Sequence, residues 1–336
     1  MSHIILVTGA TGAQGGGLVN ALLASQHPSV TIHALVRNPA SAASKALAQH
    51  PNIKLFQGDF DDIDSIKAAA TSCTSAFLNV TPVFTDPTGE AQHARNLIEA
   101  CAAIVTLKRV VFSSSAVMHR PSNDKLFTEY IPNHPKEWMT YYTKSKIACE
   151  QAVTGTSRED FTDGWTIIRG SAFFTNFLAP GSKFMYPELE TKQIITTALK
   201  PDYRVSMLAP EDIGVLAARL LTCTAEEWNE RWKGKAIPMA KENLTTSETI
   251  SRMNAALNKA GAKKQIKLIQ LSEEDARQRA AQGDMVVASQ IFQNEFPVTY
   301  DLDEVAACGV DVDGMMSADA YFEREISRLL ETVGGL

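Results

Sequence analysis

The 336-residue sequence predicts an α/β fold: a doubly wound parallel sheet with a smaller C-terminal lobe. Three observations predict it. Short apolar runs alternate with helical patterns through the first half of the chain, the signature of β-α units feeding a parallel sheet. A glycine-rich turn follows the first of those runs and opens a helix. Beyond Gly170 the alternation loses its rhythm and the chain becomes richer in helical and charged segments.

Residues 3–8 are an apolar run too short for a helix and read as the first strand. Residues 18–24 continue as a helix. Residues 30–36 and 53–56 read as strands two and three, 62–70 as a helix, 76–80 as strand four and 89–103 as a longer helix. Strand five is expected at 109–113, a helix at 138–153 and strand six at 165–169. Residues 121–135 hold three prolines and many polar groups and read as a loop, placed at the carboxyl edge of the sheet where ligands bind in such folds. Later, 210–221 and 246–260 are amphipathic helices with a short strand at 236–239 between them. The chain is helical from Ser272, and a last helix at 324–333 is stopped by Gly334 and Gly335. Residues 1–170, with contributions from 205–240, are therefore expected to form the core, and 171–336 mainly a substrate-binding lobe.

Composition narrows the function. A net charge of −6 gives no electrostatic footprint for nucleic acid. The five cysteines, Cys73, Cys101, Cys149, Cys223 and Cys308, are scattered and never paired as CxxC, which argues against both a disulfide framework and a zinc site. No metal is expected. The N-terminal apolar run lacks a basic region before it, and no apolar stretch has the length of a membrane span. A cytoplasmic chain, monomer or homodimer, with a small-molecule substrate and neither nucleic acid nor membrane as partner, is the expectation.

The turn Val7-Thr8-Gly9-Ala10-Thr11-Gly12-Ala13-Gln14-Gly15 joins strand one to the first helix. Gly9 permits a tight turn, Gly12 lets the backbone approach a pyrophosphate, and Gly15 lets the helix pack close to the sheet. The free N–H groups at that helix end then face the phosphates. The strand before and the helix after turn a weak glycine spacing into a Rossmann dinucleotide-binding signature. Gly16 and Gly17 each weaken the helix by about 1 kcal/mol relative to alanine, a cost not expected of a helix that only packs.

Arg37 identifies which dinucleotide. An NAD site places Asp or Glu after strand two, on the ribose 2′-hydroxyl. This chain has no acidic residue before Asp59, and strand two ends on Arg37-Asn38-Pro39. A guanidinium can pair with a 2′-phosphate, so NADP(H) is expected in preference to NAD(H), with Lys45 as a possible second charge. Asp59 and Phe60, just past strand three, are placed at the adenine edge, whereas capping is the simpler reading of Asp61 and Asp62. Asn79 and Thr81, past strand four, are expected near the nicotinamide half.

Three residues suit hydride transfer to a carbonyl. Ser113-Ser114-Ser115 ends strand five, and Tyr142 and Lys146 lie four apart on the following helix, on one face. A free phenol, with a pKa of about 10, is a poor acid near neutrality. A neighbouring ammonium and a positive nicotinamide both favour its anion. Lys146 supplies that charge and can hold the nicotinamide ribose, Tyr142 is the proton donor, and Ser115 holds the substrate oxygen. At the substrate end the sequence says less. His119, Phe173, Phe174 and Asn176 are candidates, with Phe173, Phe174 and Phe177 reading equally as pocket lining or as core. Met285, Phe292 and Phe296 read as core by default.

These motifs, with Leu35-Val36-Arg37-Asn38-Pro39, Gly58-Asp59-Phe60-Asp61-Asp62, Trp165-Thr166-Ile167-Ile168-Arg169, Phe173-Phe174-Thr175-Asn176-Phe177 and Glu211-Asp212-Ile213-Gly214, run nearly the whole chain. Together they resemble an atypical short-chain dehydrogenase/reductase of the NmrA-like kind. The resemblance implies an NADP-binding Rossmann core and a smaller C-terminal substrate lobe, in a family that holds both reductases and redox-sensing regulators. Many members keep the lysine matching Lys146 but lack the tyrosine at 142. Its presence here, and a strand-five ending like that of catalytically complete extended short-chain dehydrogenases, imply Ser115 as catalytic serine. The expected function is NADPH-dependent reduction of a small organic carbonyl, a ketoreductase. A non-catalytic NADP(H) sensor that binds a protein partner, and an epimerase or dehydratase that retains its dinucleotide, are the alternatives.

Overall fold

The computed structural model describes residues 3–25, 30–83, 86, 88–157 and 159–335. In chain order the elements begin with β1 (His3–Thr8), α1 (Ala13–Ala24), β2 (Val30–Val36), α2 (Ala42–Leu47), β3 (Ile53–Gln57) and α3 (Ile63–Ala70). Next come β4 (Ser75–Asn79), α4 (Gly89–Ala102), β5 (Arg109–Ser115), α5 (Ile131–Asn133), α6 (Trp138–Thr154), β6 (Gly164–Gly170) and β7 (Ala172–Phe173). They continue with α7 (Gly181–Met185), α8 (Leu189–Lys192), β8 (Ile194–Thr197), β9 (Val205–Leu208), α9 (Pro210–Thr222) and α10 (Ala225–Glu227). The rest are β10 (Lys235–Met239), β11 (Glu242–Leu244), α11 (Thr246–Lys259), β12 (Lys267–Gln270), α12 (Glu273–Ala281), α13 (Met285–Glu295), α14 (Leu302–Ala307), α15 (Ala318–Arg324) and α16 (Ile326–Thr332).

The chain divides into two units. The first holds residues 1–118, 142–170 and 210–238. Its seven-stranded sheet has the order β10-β6-β5-β4-β1-β2-β3, and β1 to β6 pair in parallel. Both faces are covered, so the central strands are apolar throughout rather than alternating: Ile5, Leu6 and Val7 of β1 and Phe77 and Leu78 of β4 have no exposed surface. The order reverses between β1 and β4, which opens the crevice where such sheets take their ligands. The β1–α1 turn and Asn79 both lie at that reversal.

Helix α9 packs on α1 through glycines. A β-carbon on Gly17 would meet the Glu211 carbonyl oxygen at 2.5 Å. Gly17 therefore has a packing role, contrary to the expectation that a packing helix would not carry it.

The second unit holds residues 119–141, 171–209 and 239–335. It has a three-stranded sheet, β11-β9-β7, and a parallel pair, β12-β8. Its core gathers Phe174, Phe177, Leu178, Ile195, Met207, Tyr321 and Phe322. Residues 121–135, expected to be a loop of the core, belong to this unit and are partly helical. A π-turn over Leu126–Tyr130 leads into α5, where Pro132 occupies the first helical turn and its missing N–H costs nothing. Among the described residues no helix is long and apolar enough to cross a membrane.

Candidate active site

The β1–α1 turn is shaped to receive an anion. Gly9 has φ +63°, and a β-carbon there would strike the Asn79 side chain at 2.8 Å. Gly15 lies against the Gly9 carbonyl, where a β-carbon would be 2.3 Å from the oxygen. Thr11, Gly12 and Ala13 are exposed. Gly12 caps α1 without a side-chain hydrogen bond, and no acidic residue stands in the first turn. The helix therefore presents free N–H groups and its positive end, uncompensated by the chain itself. Oε1 of Gln14, in that turn, is buried with no hydrogen-bond partner. These features fit a pyrophosphate.

The other expected cofactor residues are mostly at strand ends. Arg37 is exposed just past β2, with no side-chain partner among the described residues. Asn79 ends β4, and its amide N–H donates to Thr8 Oγ1 at 2.8 Å, while Thr8 Oγ1 donates to Asn79 Oδ1 at 2.9 Å. Its side chain is thus fixed against the glycine turn. Thr81 is exposed two residues on. Asp59 is exposed past β3, and its Oδ1 accepts from the Asp61 amide at 3.2 Å. Phe60 packs edge-on to His93, with ring centroids 5.7 Å apart. Asp62 caps α3 by accepting from the Ser65 amide.

Ser115, Tyr142 and Lys146 come together in the first unit. The Tyr142 hydroxyl donates to Ser115 Oγ at 2.9 Å. Lys146 Nζ lies 5.3 Å from the centre of the Tyr142 ring. Helical spacing puts both on one face of α6, and β5, running on to Ser115 rather than ending at residue 113, carries the serine to meet them.

Two buried carboxylates complete the cluster, and neither stood out in the sequence. Glu90, in the first turn of α4, is 2% exposed; Lys146 Nζ donates to its Oε1 and Ser145 Oγ donates to its Oε2 at 2.7 Å. Burial works against the Lys146 ammonium, but its electrostatic interactions with Tyr142 and Glu90 and its hydrogen bond to Glu90 outweigh it and raise the pKa above the ordinary lysine value. Glu150 accepts from Ser114 Oγ at 2.7 Å and from Arg169 Nε and Nη2 at 3.1 and 2.7 Å. The signal for Glu150 was present: Tyr142, Lys146 and Glu150 repeat at four-residue spacing along one helix face. Glu90 has none, because it lies 56 residues from its lysine.

The substrate candidates are all in the second unit. Phe174 has no exposed surface and packs on Tyr321 and Phe322, at centroid distances of 5.4 and 6.0 Å. It is core, which corrects its placement as a substrate contact; the 3₁₀ turn at Phe174–Phe177 directs both end rings inward. Phe173 is half-buried in β7, opposite Leu208, and Asn176 is half-buried in the turn. His119 Nε2 is 3.4 Å from a Glu304 carboxylate oxygen, and its ring lies edge-on to Tyr300. Met285 lines a cavity of about 220 Å³ in this unit, with Phe184, Tyr186, Ile194 and Arg279 among the other walls. Phe292 and Phe296 instead pack on Tyr130.

Comparison with known proteins places the chain. It is 29% identical over 222 residues to dihydroflavonol 4-reductase of Hordeum vulgare, a match over 60% of this chain and 61% of that protein's length. A negative transcriptional regulator, Nmra, superposes with a TM-score of 0.67 at 16% identity, covering 98% of this chain and 97% of its own. The NADPH-dependent quinone oxidoreductase of Escherichia coli, solved with NADPH, gives a TM-score of 0.67 at 19% identity, covering 96% and 99%. At such identities these two structures show the fold alone. The NmrA-like family model matches residues 1–315, and the chain belongs to that family.

Proposed function

We propose that the protein is an NADPH-dependent reductase of a small organic carbonyl compound, of the short-chain dehydrogenase/reductase type. The observation that carries this reading is the hydrogen bond from Tyr142 to Ser115, beside the Lys146 ammonium. The uncapped N-terminus of α1 and the exposed Arg37 support the choice of dinucleotide. The reductase among its relatives, and the quinone oxidoreductase solved with NADPH, are consistent with it.

When bound, NADPH supplies the hydride. Backbone N–H groups of residues 13–15 would hold its pyrophosphate and Arg37 its 2′-phosphate. Ser115 donates to the substrate oxygen and fixes the carbonyl beside the phenol. As the carbonyl is reduced, the Tyr142 hydroxyl would give its proton to the developing alkoxide, leaving an alcohol. The Lys146 ammonium stabilises the phenolate left behind until solvent returns the proton.

The test pairs binding with turnover. Tyr142→Phe should bind NADP(H) like the wild type and lose at least about a hundredfold in NADPH consumption, the usual contribution of a general acid. Full activity in that variant refutes the assignment. Tight NADP(H) binding without consumption, across ketones, aldehydes and quinones, refutes the reductase reading and favours a regulator.

A further inference from the structure

A lysine that assists a tyrosine does so through its net charge, and here that charge is not free. Lys146 is 6% exposed and its Nζ is bound to a Glu90 oxygen whose own side chain is almost wholly enclosed. Ser145 occupies the other carboxylate oxygen, so Glu90 is held by two neighbouring residues of α6. Water cannot screen either group well at such depth. At the distance of the Tyr142 ring, the ammonium and the carboxylate present a compact dipole, not a bare positive charge.

We propose that Glu90 is a positioning residue that offsets the Lys146 charge and so keeps Tyr142 in its protonated form in the resting site. The inference rests on Tyr142 being the acid. Beyond the pair itself, the Arg95 guanidinium of α4 acts on the nearby Cys149 thiol. The titratable groups acting on Lys146 are Tyr142 and Cys149 on α6 itself and Glu90 from α4. The Cys149 thiol is pushed up to about 12, chiefly by burial and next by Glu90, and is neutral through the working range. β5 contributes the uncharged Ser115 hydroxyl.

The test reads the ionisation of Tyr142 without any substrate. Tyrosinate absorbance of the full chain is titrated in the wild type and in Glu90→Gln, each against its partner carrying Tyr142→Phe, so that the difference isolates one phenol. Glu90→Gln should move that component to lower pH by about one unit or more, the size expected of an uncompensated charge at this range. Removing both members, in Glu90→Gln/Lys146→Met, should move it back toward the wild type. A purely structural ion pair would lower the melting temperature and leave the component in place, and that result overturns the proposal. Should Glu90→Gln alone not fold, the double variant against Lys146→Met makes the same comparison, with no downward movement as the refuting result. Turnover separates the two readings: an active Tyr142→Phe removes the reductase assignment, whereas an inactive one with an unmoved titration removes only the role of Glu90.

Discussion

Gly214 of α9 lies so close to Leu18 of α1 that a β-carbon on it would fall 2.1 Å from the Leu18 amide nitrogen. The Gln14 carbonyl oxygen would be 2.4 Å away. The obstructing atoms are backbone, so the neighbour cannot turn aside. Gly214→Ala should therefore destabilise the protein by about 1–3 kcal/mol through overpacking, even though alanine is the better helix former by about 1 kcal/mol. The denaturant midpoint of the variant should fall, and NADP(H) binding should weaken as α1 is displaced from its turn. A midpoint at or above that of the wild type would show that the helices are not locked at this crossing.

This contact also marks where sequence reading runs out. The strands of the first unit are legible within a residue or two because each is a short, largely apolar run ended by glycine or a polar turn, and burial on both faces keeps the central ones, β1 and β4, apolar. The strands of the second unit escape the same reading. Lys267-Leu268-Ile269-Gln270 is exposed along its length, and β7 is only two residues long. Nothing local distinguishes such segments from loop; their pairing with distant partners makes them strands. The site divides in the same way. Tyr142 and Lys146 are readable because one helix spaces them. Gly17 and Glu90 are not, because the reason for each lies on another element: Glu211 on α9 for the glycine, Lys146 on α6 for the carboxylate. Phe174, which reads equally as pocket lining or as core, is decided by its short turn, which delivers it to the core.

Arg37 offers a direct test of cofactor choice. Its guanidinium is exposed and uncommitted among the described residues, so a ligand phosphate meets no internal competitor. A hydrogen bond to a charged group contributes about 1.5–3 kcal/mol. Arg37→Glu should accordingly raise the Kd for NADPH at least about tenfold, and should improve NADH by offering a carboxylate to the ribose 2′-hydroxyl. Fluorescence titration of both cofactors at one fixed salt concentration checks this. An unchanged ratio of the two affinities would place the 2′-phosphate elsewhere.

The buried imidazole of His33 gives the fold an acid sensitivity that has nothing to do with the active site. The residue lies in β2 at 5% exposure, with Nδ1 2.8 Å from the Ala69 carbonyl oxygen and its ring centre 4.6 Å from that of Phe56. Nε2 is buried with no partner, so a proton placed there would have no acceptor. Burial above all lowers the pKa below the ordinary 6.5; the Ala69 carbonyl opposes this, and Lys54 adds to the lowering. The unfolded chain therefore takes the proton before the native one does. The stabilisation is complete above pH 6.5 and is lost as pH falls from there through the lower native value. His33→Phe keeps the ring packing and removes the titration. Its urea midpoint should fall less than that of the wild type between about pH 7.5 and about pH 5.5, a span that brackets the histidine value. Carboxylates titrate alike in both proteins, so the difference in slope isolates the imidazole. Equal slopes would mean that the native state accepts the proton as readily as the unfolded chain, and that the strand opens enough to hydrate it.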